Sequence, residues 1–324
     1  MIQKILKHYK TENKLTTSQK QQIERNSGRQ VQFYNFWEQP FDEMYWYRFL
    51  KSRPGLLNKN PKLKIGFFSV FGDRNLINHT KCDINIFYGA ENLKTKSYLQ
   101  YADYFLLSDK INLSMGFECF EHEKYIRFPN WMDVFFMKTS DIKTTCNHLR
   151  FPPVNQKTKF ASCISSHSAN GLRDALIDSL NSIETVSCAG KYRHNDDSLL
   201  TLFNDKKTEY LKSFYFNICP ENSNAFGYVT EKIFQSVYAG CIPVYWGSNN
   251  RPEPDVLNHN AIVFWEKGKD NQSAINFISD LYNSPRLMND FISQPRLAPK
   301  AEEYIMDTFA RVENKMLGII SANS

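Results

Sequence analysis

The sequence predicts an α/β protein built on largely parallel, helix-covered sheets, and three observations carry that prediction. The runs VQFYNFW (31–37), KIGFFSVFG (64–72) and INIFYGAEN (84–92) are apolar without clean alternation, the pattern of strands buried on both faces. A helical pattern, FDEMYWYRFL, separates the first two. Residues 210–248, YLKSFYFNICPENSNAFGYVTEKIFQSVYAGCIPVYWGS, read in order as strand, loop, helix, strand and turn, one complete βαβ unit.

The elements follow in order. Residues 1–30 form a basic arm in which Lys4, Lys7, Lys10, Lys14, Lys20, Arg25 and Arg29 face only Glu12 and Glu24. Seven minus two leaves +5 of the chain's formal +6 in this arm, so the rest is nearly neutral. That distribution argues against a nucleic-acid partner, which needs cations gathered over a binding face. Ile2, Ile5, Leu6 and Tyr9 recur at helical spacing between the lysines, which suits peripheral contact with an anionic membrane or, equally simply, a solvated leader. Residues 31–150 make a first domain, and the proline-bearing segment FPPVNQKT (151–158) opens a second over 151–300. Within it FASCISS (160–166) is a strand, and GLRDALIDSLNSI (171–183) is a helix with Leu172, Leu176, Leu180 and Ile183 on one face. TVSCAG is the following strand and turn. The apolar spacing from Tyr304 to Ile320 makes residues 301–324 a last helix that packs back on the body or mediates contact between chains.

Several classes are disfavoured. No run of eighteen apolar residues occurs, and the first thirty residues lack a signal-peptide core, so the expectation is a cytoplasmic protein, with the arm as the only membrane contact, on the inner membrane. The seven cysteines are odd in number and never closer than seventeen residues, which fits reduced thiols better than zinc pairs or a disulfide framework. No GxGxxG follows the early strands, against a dinucleotide-dependent oxidoreductase. No DxD motif occurs, and the adjacent Asp196 and Asp197 have no third candidate ligand nearby in sequence, so no metal site is expected.

The chemistry gathers in the βαβ unit. Thr230 is placed to cap the helix that follows, Gly227 allows a tight loop and Gly240 suits the helix end. Such a helix start at the carboxyl end of a strand directs amides and a positive dipole end at a phosphate, and Lys232 in its first turn adds a full charge. Glu231 fits the two hydroxyls of a ribose, although a first-turn glutamate also suits the dipole on its own.

The stretch CPENSNAFGYVTEKIFQSVYAGCIPVYWGS closely resembles the donor-binding motif of the α1,3/4-fucosyltransferases, glycosyltransferase family 10, with its ENS, GY, TEK and PVYWG. Weaker similarity extends back through FASCISS, Arg173, the Gly190 turn, FYGAEN and the YIRFP segment around Arg127. The resemblance implies a GT-B-like fold of two Rossmann-like domains facing a cleft. GDP-fucose would be the donor substrate on the C-terminal side, and an oligosaccharide or glycolipid the acceptor on the N-terminal side. It carries donor binding to Asn222, Tyr228, Glu231 and Lys232, with Glu221 beside them, and pyrophosphate binding to Arg173. His167, Gly190 and Thr230 are further candidate donor contacts, His167 standing where relatives often carry Asn and Tyr215 where they often carry a basic residue. Arg173 and Lys232 would take the place of a divalent metal, so no cofactor is implied. The base implied is Glu91, although here Gly89-Ala90-Glu91 stands where the family usually has Gly immediately before Glu. A strand-end cap or ion pair is the other reading of that residue. The implied reaction is inverting transfer of L-fucose to a GlcNAc or Glc hydroxyl, giving a Lewis-x-like product. The alternatives are another GDP-deoxysugar or a non-catalytic binder.

Overall fold

A computed structural model describes residues 15–137, 141–154 and 157–323. The chain forms two compact units, residues 1–138 with 306–324, and residues 139–305.

The first unit is a five-stranded sheet of β1 (Val31–Tyr34), β2 (Ile65–Phe68), β3 (Ile84–Gly89), β4 (Leu113–Gly116) and β5 (Tyr125–Arg127), all parallel and ordered as they occur in the chain. Parallel register sets like residues side by side: Phe33 opposes Phe67, and Tyr34 opposes Phe68. Alternate side chains therefore feed two aromatic layers. On one face Phe67 stacks on Phe33 at 5.4 Å and on Trp46 at 5.6 Å. On the other, Tyr34 stacks on Phe68 at 5.1 Å and Phe87 on Tyr101 at 5.4 Å. Burial on both faces is why these strands show no alternation in the sequence.

Two boundaries differ from those the sequence suggests at the N-terminus and between the units. Residues 16–26 do not belong to a loose arm: Thr16 and Gln19 form a capping box opening the helix Thr17–Asn26. Asn26 exchanges side-chain hydrogen bonds with the backbone of Phe33, and Gln22 accepts from the Asn35 amide, which docks the helix on β1. The amphipathic pattern from Ile2 to Tyr9 lies outside the described residues. The second unit starts at Thr139, twelve residues before the FPPV segment, because the helix Ile142–Arg150 packs on the helix Glu231–Tyr238. His148 Nε2 contacts the Tyr238 carbonyl at 2.9 Å, and the two rings lie 4.0 Å apart. The last helix, Ala301–Ala322, joins the first unit from residue 306 onward. Phe309 meets Phe49 and Phe128, and Glu313 pairs with Arg53 at 2.8 Å.

The second unit holds β6 (Lys159–Cys163), β7 (Val186–Cys188), β8 (Phe214–Ile218), β9 (Ile242–Tyr245) and β10 (Val263–Phe264), again all parallel. Their spatial order is β10-β9-β8-β6-β7, so the chain's direction of travel across the sheet reverses between β6 and β8. The helix Leu172–Leu180 buries Leu172, Leu176 and Leu180 on this sheet, on the face the sequence periodicity marks. No helix among the described residues is long and apolar enough to cross a membrane.

Candidate functional site

The reversal between β6 and β8 is a topological switch point, where the loops leaving two neighbouring strands part in opposite directions and open a crevice at their carboxyl ends. Arg173 follows β6, and Asn222 follows β8. The sheet order alone therefore brings together residues 49 apart in the chain.

Arg173 sits in the first turn of the Leu172–Leu180 helix and is 3% exposed. Its guanidinium donates to the His167 carbonyl at 2.8 Å, to His167 Nδ1 at 3.1 Å and to Asn222 Oδ1 at 3.1 Å. All three acceptors are neutral, and no ion pair among the described residues involves Arg173. A buried cation without a counter-ion is costly to hold, and an anionic ligand relieves that cost. Burial lowers the guanidinium's pKa from its ordinary value, while Cys163 and Glu221 pull the other way.

His167 is the orienter of that cation. Arginine only donates, so Nδ1 must be an acceptor, and it also accepts from the Ala169 amide at 3.2 Å. The proton of the neutral ring therefore rests on Nε2. Burial first, then the charges of Arg173 and Lys232, lower the imidazole's pKa.

The second cation, Lys232, is held by a buried network. Glu221 is 0% exposed. Its Oε1 accepts the Thr230 amide at 2.8 Å, and its Oε2 accepts the Thr230 hydroxyl at 2.8 Å and the Lys232 ammonium at 3.3 Å. The Thr230 hydroxyl in turn accepts from Lys232 at 2.8 Å, and the Tyr245 hydroxyl stands 3.5 Å from Oε1. Gly247 is required beside it: at φ 144°, any Cβ there would lie 2.7 Å from Glu221 Cγ. The side chains that the sequence groups as donor contacts thus divide. Glu221 and Tyr228, the latter 1% exposed, are buried, and the Glu221 carboxylate is taken up by Thr230 and Lys232. Thr230 does precede the helix, but its hydroxyl serves Glu221 and Lys232 and makes no capping bond. Gly190 is explained by packing: a Cβ would stand 2.1 Å from the Ser165 carbonyl oxygen, where the loops after β6 and β7 cross.

Arg173, Glu231 and Lys232 line one pocket, and Lys207, Asn217 and Gln235 line it with them. Lys207 and Asn217 lie outside the motif and are brought in by the sheet order, whereas Gln235 shares the helix face of Glu231 and Lys232. Asp196 is engaged by Ser198, Tyr210 and Lys159, and Asp197 by His194. Among the described residues no group of three or more His, Cys, Asp and Glu is placed to hold a metal ion.

Glu91 lies in the first unit, two residues beyond β3, and is half-buried. Its charge is felt by two phenols: burial raises the pKa of Tyr98, and so, secondarily, does Glu91. Tyr88 is raised well above its ordinary value, chiefly by burial, then by Asp133, Tyr45 and Glu91. Arg127 donates from Nε to the Phe117 carbonyl at 2.9 Å, Tyr215 packs near Tyr282, and Tyr245 is fully buried.

A parallel sheet whose switch-point pocket gathers the cations Arg173, Lys207 and Lys232 beside a helix start suits a phosphate ester. Comparison with known proteins narrows this. Residues 154–295 match glycosyltransferase family 10 (fucosyltransferase) C-term, and residues 31–134 match the α-(1,3)-fucosyltransferase FucT N-terminal domain. The chain belongs to glycosyltransferase family 10. It is 36% identical to the α-(1,3)-fucosyltransferase FucT of Helicobacter pylori over 138 residues, 42% of this chain and 27% of that protein. A fucosyltransferase-like protein of Arabidopsis thaliana is 36% identical over 106 residues, 31% of this chain and 20% of the relative. The aligned stretches thus span about a quarter or less of these relatives' lengths. Crystal structures of an α1,3-fucosyltransferase share the fold. The form with GDP-fucose has a TM-score of 0.56 at 21% identity, covering 97% of this chain and 95% of that one. A further form gives 0.58 at 20% identity, covering 100% and 99%. The GT-B-like α/β class is therefore the observed one.

Proposed function

We propose that the protein is an inverting α1,3-fucosyltransferase that moves L-fucose from GDP-β-L-fucose to a GlcNAc or Glc hydroxyl of a lactose- or N-acetyllactosamine-type glycan. The observation that carries this reading is Arg173, a buried guanidinium with only neutral partners, in a pocket shared with Lys232 and Glu231. Its charge suits the donor's diphosphate, and the Glu231 carboxylate suits the ribose hydroxyls.

In the reaction the acceptor oxygen bonds to the fucose anomeric carbon as the bond from that carbon to the phosphate oxygen breaks. GDP departs with the electron pair and one more negative charge. Two cations fixed beforehand stabilise that charge without reorganising, the role a metal fills elsewhere, so no divalent ion is needed. Glu91 takes the proton of the acceptor hydroxyl.

Calorimetry with GDP-fucose, followed by turnover with a panel of lactose- and N-acetyllactosamine-type acceptors in EDTA, tests this. Metal-independent fucosyl transfer is expected. Tighter binding of another GDP-sugar would reassign the donor, and donor binding without transfer to any acceptor would reduce the protein to a binder.

A further inference from the structure

The carboxyl edge of the first sheet presents an aromatic platform that the reaction scheme does not use. Trp37, three residues past β1, is 71% exposed. Its ring lies 4.6 Å from that of Phe71, which follows β2, and Phe71 meets the Tyr98 ring edge-on at 6.1 Å and 87°. Tyr98 in turn is close enough to Glu91 to feel its charge.

The loop that presents Trp37 is built and held. Asn35 is 3% exposed and sits at φ 59°, which turns the chain sharply out of β1. Its amide donates to Gln22 Oε1, its carbonyl accepts the Phe71 amide at 2.9 Å, and its side chain donates to the Asp73 carbonyl at 2.9 Å. One buried asparagine thus ties the loops after β1 and β2 to each other and fixes both rings. Trp37 is thus an exposed ring whose position the fold fixes, at the carboxyl edge of the sheet and on the same side as Glu91.

The surroundings select its occupant. Glu38, Gln39 and Pro40 beside Trp37 are exposed, Glu38 pairing with Arg25 at 2.9 Å, and Glu91 lies at the far end. One strongly exposed ring, with two half-buried rings behind it and polar groups and carboxylates around it, is a poor membrane anchor, which needs a broad apolar face. A pyranoside fits both features, laying its C–H face on the ring while its hydroxyls meet the polar rim.

We infer that Trp37, backed by Phe71 and Tyr98, is a stacking subsite for a pyranose ring of the acceptor glycan. The inference rests on the fucosyltransferase reading and names where its acceptor is held.

The test compares the full-length wild type with Trp37→Ala and Trp37→Phe. It uses three readouts: acceptor KM and kcat, GDP-fucose affinity, and saturation-transfer NMR of lactose and N-acetyllactosamine without donor. Trp37→Ala should raise acceptor KM about tenfold or more, leave GDP-fucose affinity unchanged and erase saturation transfer to the sugar's C–H protons, while Trp37→Phe retains most of the contact. An unaltered KM and unaltered saturation transfer in Trp37→Ala, with wild-type transfer intact, overturns the subsite and leaves the function standing. Should no fucose be transferred at all, the function falls, and the subsite is decided by saturation transfer alone: Trp37-dependent contact with a pyranoside sustains it, and none overturns it.

Discussion

The two sheets have the same number of strands, all parallel, yet they make their functional edges differently. In the second unit the strand order reverses between β6 and β8, and the crevice this opens is furnished with buried charge: Arg173 on neutral acceptors, and Lys232 on Glu221. In the first unit the strands lie in chain order, so no reversal opens a crevice. Its edge is furnished by what the loops project, Trp37 after β1, Phe71 after β2 and Glu91 after β3. One edge is suited to a charged ligand that stays put through topology and fixed charge. The other presents exposed and half-buried aromatic rings and a carboxylate, without a comparable concentration of buried charge.

The sharpest break between the edges is expected from single substitutions on each. Glu91→Gln should cut kcat about 10²–10⁴-fold, the usual contribution of a general base, with GDP-fucose affinity unchanged. Lys232→Ala should weaken GDP-fucose binding and cut kcat about 10²–10³-fold, as loss of one fixed charge facing a leaving group does. Calorimetry beside steady-state kinetics separates the two. If Glu91→Gln lost donor binding, or Lys232→Ala kept it, the division of labour between the edges would be wrong.

This division was only half legible in the sequence. The strand–loop–helix–strand over 210–248 could be read because its helix is periodic and its strands are apolar, and the position of Lys232 followed from that. What could not be read were the polar anchors. Asn26, Gln22 and Asn35 dock the first helix and the loops by hydrogen bonds to backbone, which leave no periodic trace, so residues 16–26 looked like part of an arm. Thr230 looked like a cap because sequence gives its place before the helix but not the Glu221 carboxylate that claims its hydroxyl. Resemblance alone groups Gly190 with the donor contacts; that a Cβ there would collide with the Ser165 backbone could be seen only once β6 and β7 were paired. Lys207 and Asn217 needed the sheet order before they could be grouped with Arg173 and Lys232.

A smaller effect probes how the second edge is supported. Glu221→Gln keeps the shape and an acceptor for the Thr230 amide but removes the charge opposite Lys232. Breaking a buried ion pair costs about 3–5 kcal/mol; with Lys232 partly solvated, a loss near the lower end is expected in urea melts. GDP-fucose affinity should fall as Lys232 loses its position, while acceptor KM stays as it was. Unchanged stability and donor affinity would mean that the Glu221 charge is not what holds the ammonium.

The smallest expected effect asks whether the polar loops of the second unit also set its acid stability. Asp196 follows β7, and its side chain is 13% exposed. Burial alone would raise its pKa, but bonds from the Ser198 amide and hydroxyl, one from Tyr210 and the charge of Lys159 outweigh it and hold the carboxyl at about 2, below the ordinary 3.8. Because the folded-state pKa is the lower one, the unfolded chain binds this proton first as pH falls. The stabilisation is complete above about pH 4 and is lost between about pH 4 and pH 2, amounting to about 2 kcal/mol. Asp196→Asn should forfeit it at pH 7 and show a correspondingly shallower acid limb, so that variant and wild type converge near pH 2. Urea melts across that range decide it. Parallel curves, offset equally at every pH, would show that Asp196 acts through shape and not through its charge, and would leave the fixed charge of this unit concentrated at the switch point.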